Sequence, residues 1–138
     1  MTVQTFEDLQ IWKEARRLTQ EIYRLTRTAT FSKDFSLTNQ MQRAAISMMS
    51  NIAESYERGG NQELSQFLYI AKGSCGELRA QLYLAFDQGY VMQAKADELN
   101  NSLKRLSSMI SNFISYLRES GMKGEKFKNS KSYFGSKV

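Results

Sequence analysis

Apolar residues return along this chain at alternating steps of four and three. The first stretch carries Ile11, Ala15, Leu18, Ile22 and Leu25, and the second Met41, Ala45, Met48 and Ile52. The third carries Leu64, Leu68, Ala71, Cys75, Leu78, Leu82 and Ala85, and the fourth Met92, Ala96, Leu99, Leu103, Leu106, Ile110, Phe113 and Leu117. At 3.6 residues per turn this spacing keeps each set on one helix face, ready for left-handed packing at a crossing angle of about 20°. The pattern predicts four helices at about residues 6–28, 37–58, 62–88 and 91–119.

Punctuation supports these limits. The chain has no proline to interrupt a helix. Thr5, with Asp8 three residues on, is a candidate cap for the first helix, and Ser36 for the second. Arg58, Gly59 and Gly60 are expected to end the second helix, with Asn61 capping the third, and Gly89 and Tyr90 to end the third. Short second and third connections make helices 2, 3 and 4 antiparallel neighbours. The fold expected is all-α, an antiparallel up-down four-helix bundle over residues 1–120. Residues 121–138 lose the periodicity, are rich in Lys, Ser and Gly, and read as a flexible basic tail.

With 138 residues, one core and one domain are expected. No apolar run approaches the roughly 20 residues that span a bilayer, and the first residues lack the pattern of a signal peptide. No membrane association is expected, and the location expected is cytoplasmic. The lone Cys75 has no internal disulfide partner. The absence of histidine removes Ser/His/Asp and Cys/His nucleophile systems and the Glu-x-x-His di-iron motif. No metal or cofactor site is read, and the protein is expected not to be an enzyme. Of the net charge of +5, the tail holds five lysines against one glutamate, leaving the bundle nearly neutral.

Polar residues cluster in SNIAESYERGG, residues 50–60. On a helix Arg43, Ser47, Asn51, Glu54 and Arg58 form a band beside the core stripe. A turn at Gly59 and Gly60 would set Arg43 opposite Glu77, Ser47 opposite Gly73 and Asn51 opposite Tyr69. We expect an Arg43–Glu77 ion pair with Asn51 hydrogen-bonded in the same seam, because an unsatisfied buried polar group costs about 1–3 kcal/mol. Glu54, Glu57, Glu63 and Glu77 show no convergent metal-ligand spacing. Tyr69, Gly73, Gly76, Ala80 and Tyr83 form a second stripe on helix 3. Mid-helix glycine costs roughly 1 kcal/mol against alanine, so this stripe is expected to meet a close neighbour, either helix 2 or another subunit.

Lys13, Arg16, Arg17, Arg24 and Arg27, with Gln20 among them, share a band opposite the apolar face of helix 1, and Glu14 and Glu21 flank it. A stripe of one sign can hold phosphates. The competing reading is a solvated face with local Glu–Arg pairing. In the tail, Phe127, Tyr133 and Phe134 lie among lysines and can stack on bases or dock on a neighbour.

Through FEDLQIWKEA, LTNQMQRAAISM, SNIAESYERG, FLYIAKGSCGEL and AFDQGYV, in that order, residues from Phe6 to Leu117 resemble the small bundle proteins called 23S ribosomal RNA intervening-sequence proteins. Members commonly carry Ile-Pro before Ser-Asn-Ile-Ala-Glu-Gly; here Met48 and Met49 stand for that pair and Ser55 for the glycine. The departure predicts an uninterrupted second helix. The resemblance implies a bacterial, cytoplasmic homo-oligomer, typically a pentameric ring, with no established catalytic activity. Some genes of this family lie within ribosomal RNA genes, and relatives serve diversity-generating retroelements, where a basic ring surface binds nucleic acid. The function expected is therefore a non-enzymatic oligomer that binds structured RNA or an RNA–DNA hybrid through helix 1. The alternative is a scaffold for a protein partner with no nucleic-acid role.

Overall fold

The computed structural model describes residues 3–58 and 61–121. Four helices carry the fold: α1 (Gln10–Thr26), α2 (Phe35–Arg58), α3 (Asn61–Asp87) and α4 (Gln93–Gly121). One-turn 3-10 segments at Phe6–Asp8 and Phe31–Lys33 precede α1 and α2. No strand occurs among the described residues, and none of their helices is long and apolar enough to cross a membrane. The helices contact one another in cyclic order, with α4 returning to α1. The tail beyond Gly121 and the turn at Gly59 and Gly60 lie outside the described residues.

The expected first helix is split. Asp8 does fold back on Thr5, its carboxylate accepting the backbone N–H groups of Gln4 (3.0 Å) and Thr5 (3.2 Å). These bonds hold its carboxyl below the usual range. They cap only a 3-10 turn, because Leu9 is extended (ψ 128°) so that its side chain can be fully buried. The α-helix starts at Gln10.

Ser36 is not the cap of α2. Asp34 holds that place, its Oδ1 accepting the N–H of Leu37 at 3.1 Å, and Ser36 is already helical. The second carboxylate oxygen of Asp34 accepts the hydroxyl of Tyr90 at 3.0 Å. Phe31, fully buried, stacks on the Tyr90 ring at 4.7 Å. The linker before α2 is thereby pinned to the loop after α3. That loop is a Schellman turn: Gly89 has φ +78°, its N–H bonds to Phe86 O, and the Tyr90 N–H reaches Ala85 O, both at 2.9 Å. As expected for the two methionines in place of Ile-Pro, α2 runs unbroken through Met48 and Met49.

The apolar stripes meet as one core. Ile11, Ala15, Leu18 and Ile22 bury against Met41, Ala45, Met48 and Ile52, the stripe of α3 from Leu68 to Ala85, and that of α4 from Leu99 to Leu117. Met92 departs from its expected place: it precedes α4 in the loop and is 82% exposed. Polar bonds tie neighbouring helices at the seams. Thr19 Oγ1 donates to Ala45 O (3.2 Å) and Gln42 Nε2 to Thr26 Oγ1 (3.0 Å) between α1 and α2. Lys72 Nζ donates to Ser107 Oγ (3.0 Å) and Arg79 Nε to Asn100 Oδ1 (2.9 Å) between α3 and α4. In both seams residue numbers fall on one helix as they rise on the other, the pattern antiparallel neighbours produce.

Candidate nucleic-acid interface

Because α1 gives one face to the core, its opposite face must be solvated, and the sequence fills that face with cations. Lys13, Arg16, Arg17, Arg24 and Arg27 are all exposed. Over 17 residues α1 is about 25 Å long. Two of the five are engaged by carboxylates one turn back. Arg17 makes a two-point contact with Glu14 (2.8 and 2.9 Å), and Arg24 pairs with Glu21 at 2.6 Å. The other three form no ion pair with a described residue. The guanidinium of Arg16 lies over the Trp12 ring at 5.7 Å and that of Arg27 over Tyr23 at 5.3 Å. These ring contacts hold the groups on the surface without cancelling their charge.

The fourth helix adds charges that the expected stripe did not include. Arg105 approaches Glu14 at 3.7 Å, Arg17 donates to Ser102 Oγ at 3.4 Å, and Lys95 bridges Glu21 (2.9 Å) and Glu98 (3.0 Å). Four cations of α1 and α4, Arg17, Arg24, Lys95 and Arg105, thus engage three carboxylates, Glu14, Glu21 and Glu98. The sequence signal was the spacing of Lys95, Glu98, Ser102 and Arg105 on one side of helix 4; only the adjacency of helices 1 and 4 gives it meaning.

Glu14 and Glu21 titrate below the ordinary value of 4.5. The hydrogen bond from Arg17 is the main cause for Glu14, and those from Lys95 and Arg24 for Glu21. A carboxyl depressed in the folded state stabilises it above the unfolded pKa, and that contribution is lost as pH falls through the folded value. Urea unfolding is expected to show stability declining as pH drops below about 5, near the ordinary carboxylate pKa. The double variant Glu14→Gln/Glu21→Gln should show a shallower decline. An identical slope in both proteins would mean that the network adds no pH-dependent stability.

The seam between α2 and α3 differs from expectation. Arg43 and Glu77 form no ion pair; both are exposed and line an open polar groove with Gln40, Ala44 and Ser47. Exposed pairs gain little over hydration, so water competes well for both ends. A hydrogen bond that does cross runs from Ser74 Oγ to Ser47 Oγ at 2.9 Å, one residue from the expected register. Asn51 bonds within its own helix, to Ser47 O (2.8 Å) and Oγ (3.1 Å). Glu54 likewise pairs locally with Arg58 at 2.9 Å.

The small-residue stripe of α3 faces away from helix 2. A Cβ added at Gly73 or Gly76 would meet no heavy atom of the described residues within 4 Å, so among those residues these glycines serve no close approach. Ala80 is exposed, as are Tyr69, Ile70, Tyr83 and Leu84, which form an apolar strip along the glycines. Arg118 of α4 donates to the Tyr69 hydroxyl and lies over its ring. Beside the strip, toward α4, a cavity of about 180 Å³ opens between Leu82, Tyr83, Phe86 and Ala96, with Arg79, Asn100, Asp87, Asp97 and Gln93 at its edges.

Cys75 lies in the core and burial pushes its thiol up to about 12, so it is not a nucleophile in the folded protein.

The comparisons agree with this architecture. The pattern of the family described as 23S rRNA-intervening sequence protein matches residues 7–112. Among solved structures, a protein of unknown function from the S23 ribosomal protein family of Bacteroides thetaiotaomicron has a TM-score of 0.71 with this chain at 18% identity. The match covers 76% of this chain and 95% of that one. At that identity the likeness is one of fold. None of the curated proteins matches. The family pattern extends over well more than half of the sequence, and the chain belongs to the 23S rRNA-intervening sequence protein family.

Proposed function

We propose that this protein is a non-catalytic assembly of identical subunits that holds structured RNA by its phosphates through the outer face of α1. The observation that carries this reading is the set Lys13, Arg16 and Arg27, exposed, in no ion pair with a described residue and, for the two arginines, braced on aromatic rings. Arg17, Arg24, Lys95 and Arg105 extend the positive surface, with the lysines of the tail as a further nonspecific contribution. Phosphate binding releases condensed counterions, which makes such a surface effective without reading bases. An RNA–DNA hybrid offers the same backbone charge. An RNA ligand would be met in the cytoplasm.

Self-association is supported by the apolar strip of α3. Tyr69 and Tyr83 are 45% and 60% exposed, and the open backbone at Gly73 and Gly76 lets a neighbouring helix come close. A closed ring, a pentamer in the form the family resemblance implies, would repeat the α1 face around its perimeter. The same strip also fits a protein partner, the reading in which the cations serve only solubility.

Light scattering with and without a structured RNA tests both parts of the reading. The free protein is expected to be larger than one chain and to gain mass with RNA at about 50 mM salt. Five phosphate contacts give a salt slope of about −4, hence a loss of about two orders of magnitude in affinity by about 200 mM. A monomer, or no RNA retention at low salt, would overturn the corresponding half.

A further inference from the structure

We propose that the groove between α3 and α4 receives the segment Lys126-Phe127-Lys128 of a second copy of this chain. The proposal rests on the self-association read above, and adds to it a second point of contact between subunits.

The shape of the groove asks for one ring. Leu82 is buried at its base, and the Tyr83 and Phe86 rings, 60% and 41% exposed, form its walls. Its volume of about 180 Å³ exceeds the roughly 150 Å³ of an apolar cavity that accepts benzene. Its charge asks for cations on either side of that ring. Asp87 and Asp97 stand at the edge, exposed, and neither bonds to a described residue. The one cation among the described residues that line it, Arg79, already donates to Asn100. The groove is thus an acidic, apolar site on a basic protein.

The chain beyond Gly121 contains one place where an aromatic residue has lysine on both sides, Lys126-Phe127-Lys128. Its own groove is out of reach. Asp97 lies 24 residues before the end of α4, about 36 Å along the helix, whereas the six residues from Gly121 to Phe127 span at most about 22 Å. A second copy has no such limit. Tyr83 belongs both to the exposed strip of α3 and to the groove wall, so a neighbour seated on the strip brings its own chain beside the groove.

Zero-length carbodiimide coupling of the full chain tests this, using a nuclease-treated, equilibrated mixture of unlabelled and 15N-labelled protein. Cross-linked peptides joining Lys126 or Lys128 to Asp87 or Asp97 are expected in mixed-label pairs. Phe127→Ala keeps every reacting group, and should lower their yield about tenfold, the effect of losing a buried aromatic anchor. Absence of these peptides, same-label pairs alone, or an unchanged yield in Phe127→Ala overturns the docking. Light scattering on the same sample separates the two readings: a monomer overturns self-association as well, and an oligomer lacking these cross-links overturns the docking alone.

Discussion

Replacing Lys13, Arg16 and Arg27 together by glutamate is expected to lower the affinity for structured RNA by at least about two orders of magnitude at low salt, and to make the salt slope shallower by about two to three. These three are the informative choice because none forms an ion pair with a described residue, so circular dichroism and the unfolding midpoint should change little. Arg17 would be a poorer choice. Its guanidinium closes the contact between Glu14 and Ser102, and a glutamate there would set two like charges against each other at the α1–α4 seam. Filter binding across a salt series reads both quantities. Unaltered retention in a folded triple variant would remove the α1 face from the function and leave the protein-partner reading in its place.

Phe31→Ala is expected to cost about 3–5 kcal/mol, the range for deleting a buried aromatic side chain. Phe31 is in a connecting segment, yet it is fully buried, and it stacks on Tyr90, whose hydroxyl is held by the cap residue of α2. Removing the ring opens a cavity where two loops and the start of α2 meet. Tyr90→Phe keeps the stack and removes only the bond to Asp34, so a loss of about 0.5–1.5 kcal/mol is expected. Urea unfolding gives both values. A loss below about 1 kcal/mol for Phe31→Ala, well under the cavity range, would show that the linker contributes little to the core.

The core was legible because its spacing is a property of one helix at a time. Met41, Ala45, Met48 and Ile52 had to share a face whatever stood opposite. The exceptions occur where a second segment decides. Ser36 and Asp34 are both good capping residues, and the choice between them was made by Tyr90, more than fifty positions along the chain. Leu9 is extended and fully buried between the 3-10 turn and α1, a break that its apolar character alone does not announce. The Arg43–Glu77 pair failed on exposure: the register was right to within one residue, but both groups lie at the exposed edge of the seam. For the candidate interface, the five cations of α1 were readable from one helical wheel. Their pairing with Lys95 and Arg105 required knowing that α4 lies beside α1. The glycines of α3 were readable as unusual, and only their surroundings show that no described residue crowds the space a side chain would fill there.

Cys75 gives the bundle an internal clock. As the sole thiol, fully buried at the middle of α3 and held protonated far above neutral pH, it can react with an aqueous reagent only after α3 has left the core. The rate of thiol labelling in the native protein therefore counts openings of the whole structure rather than surface events. RNA or neighbouring subunits that bind only the closed form would slow that rate in proportion to their occupancy.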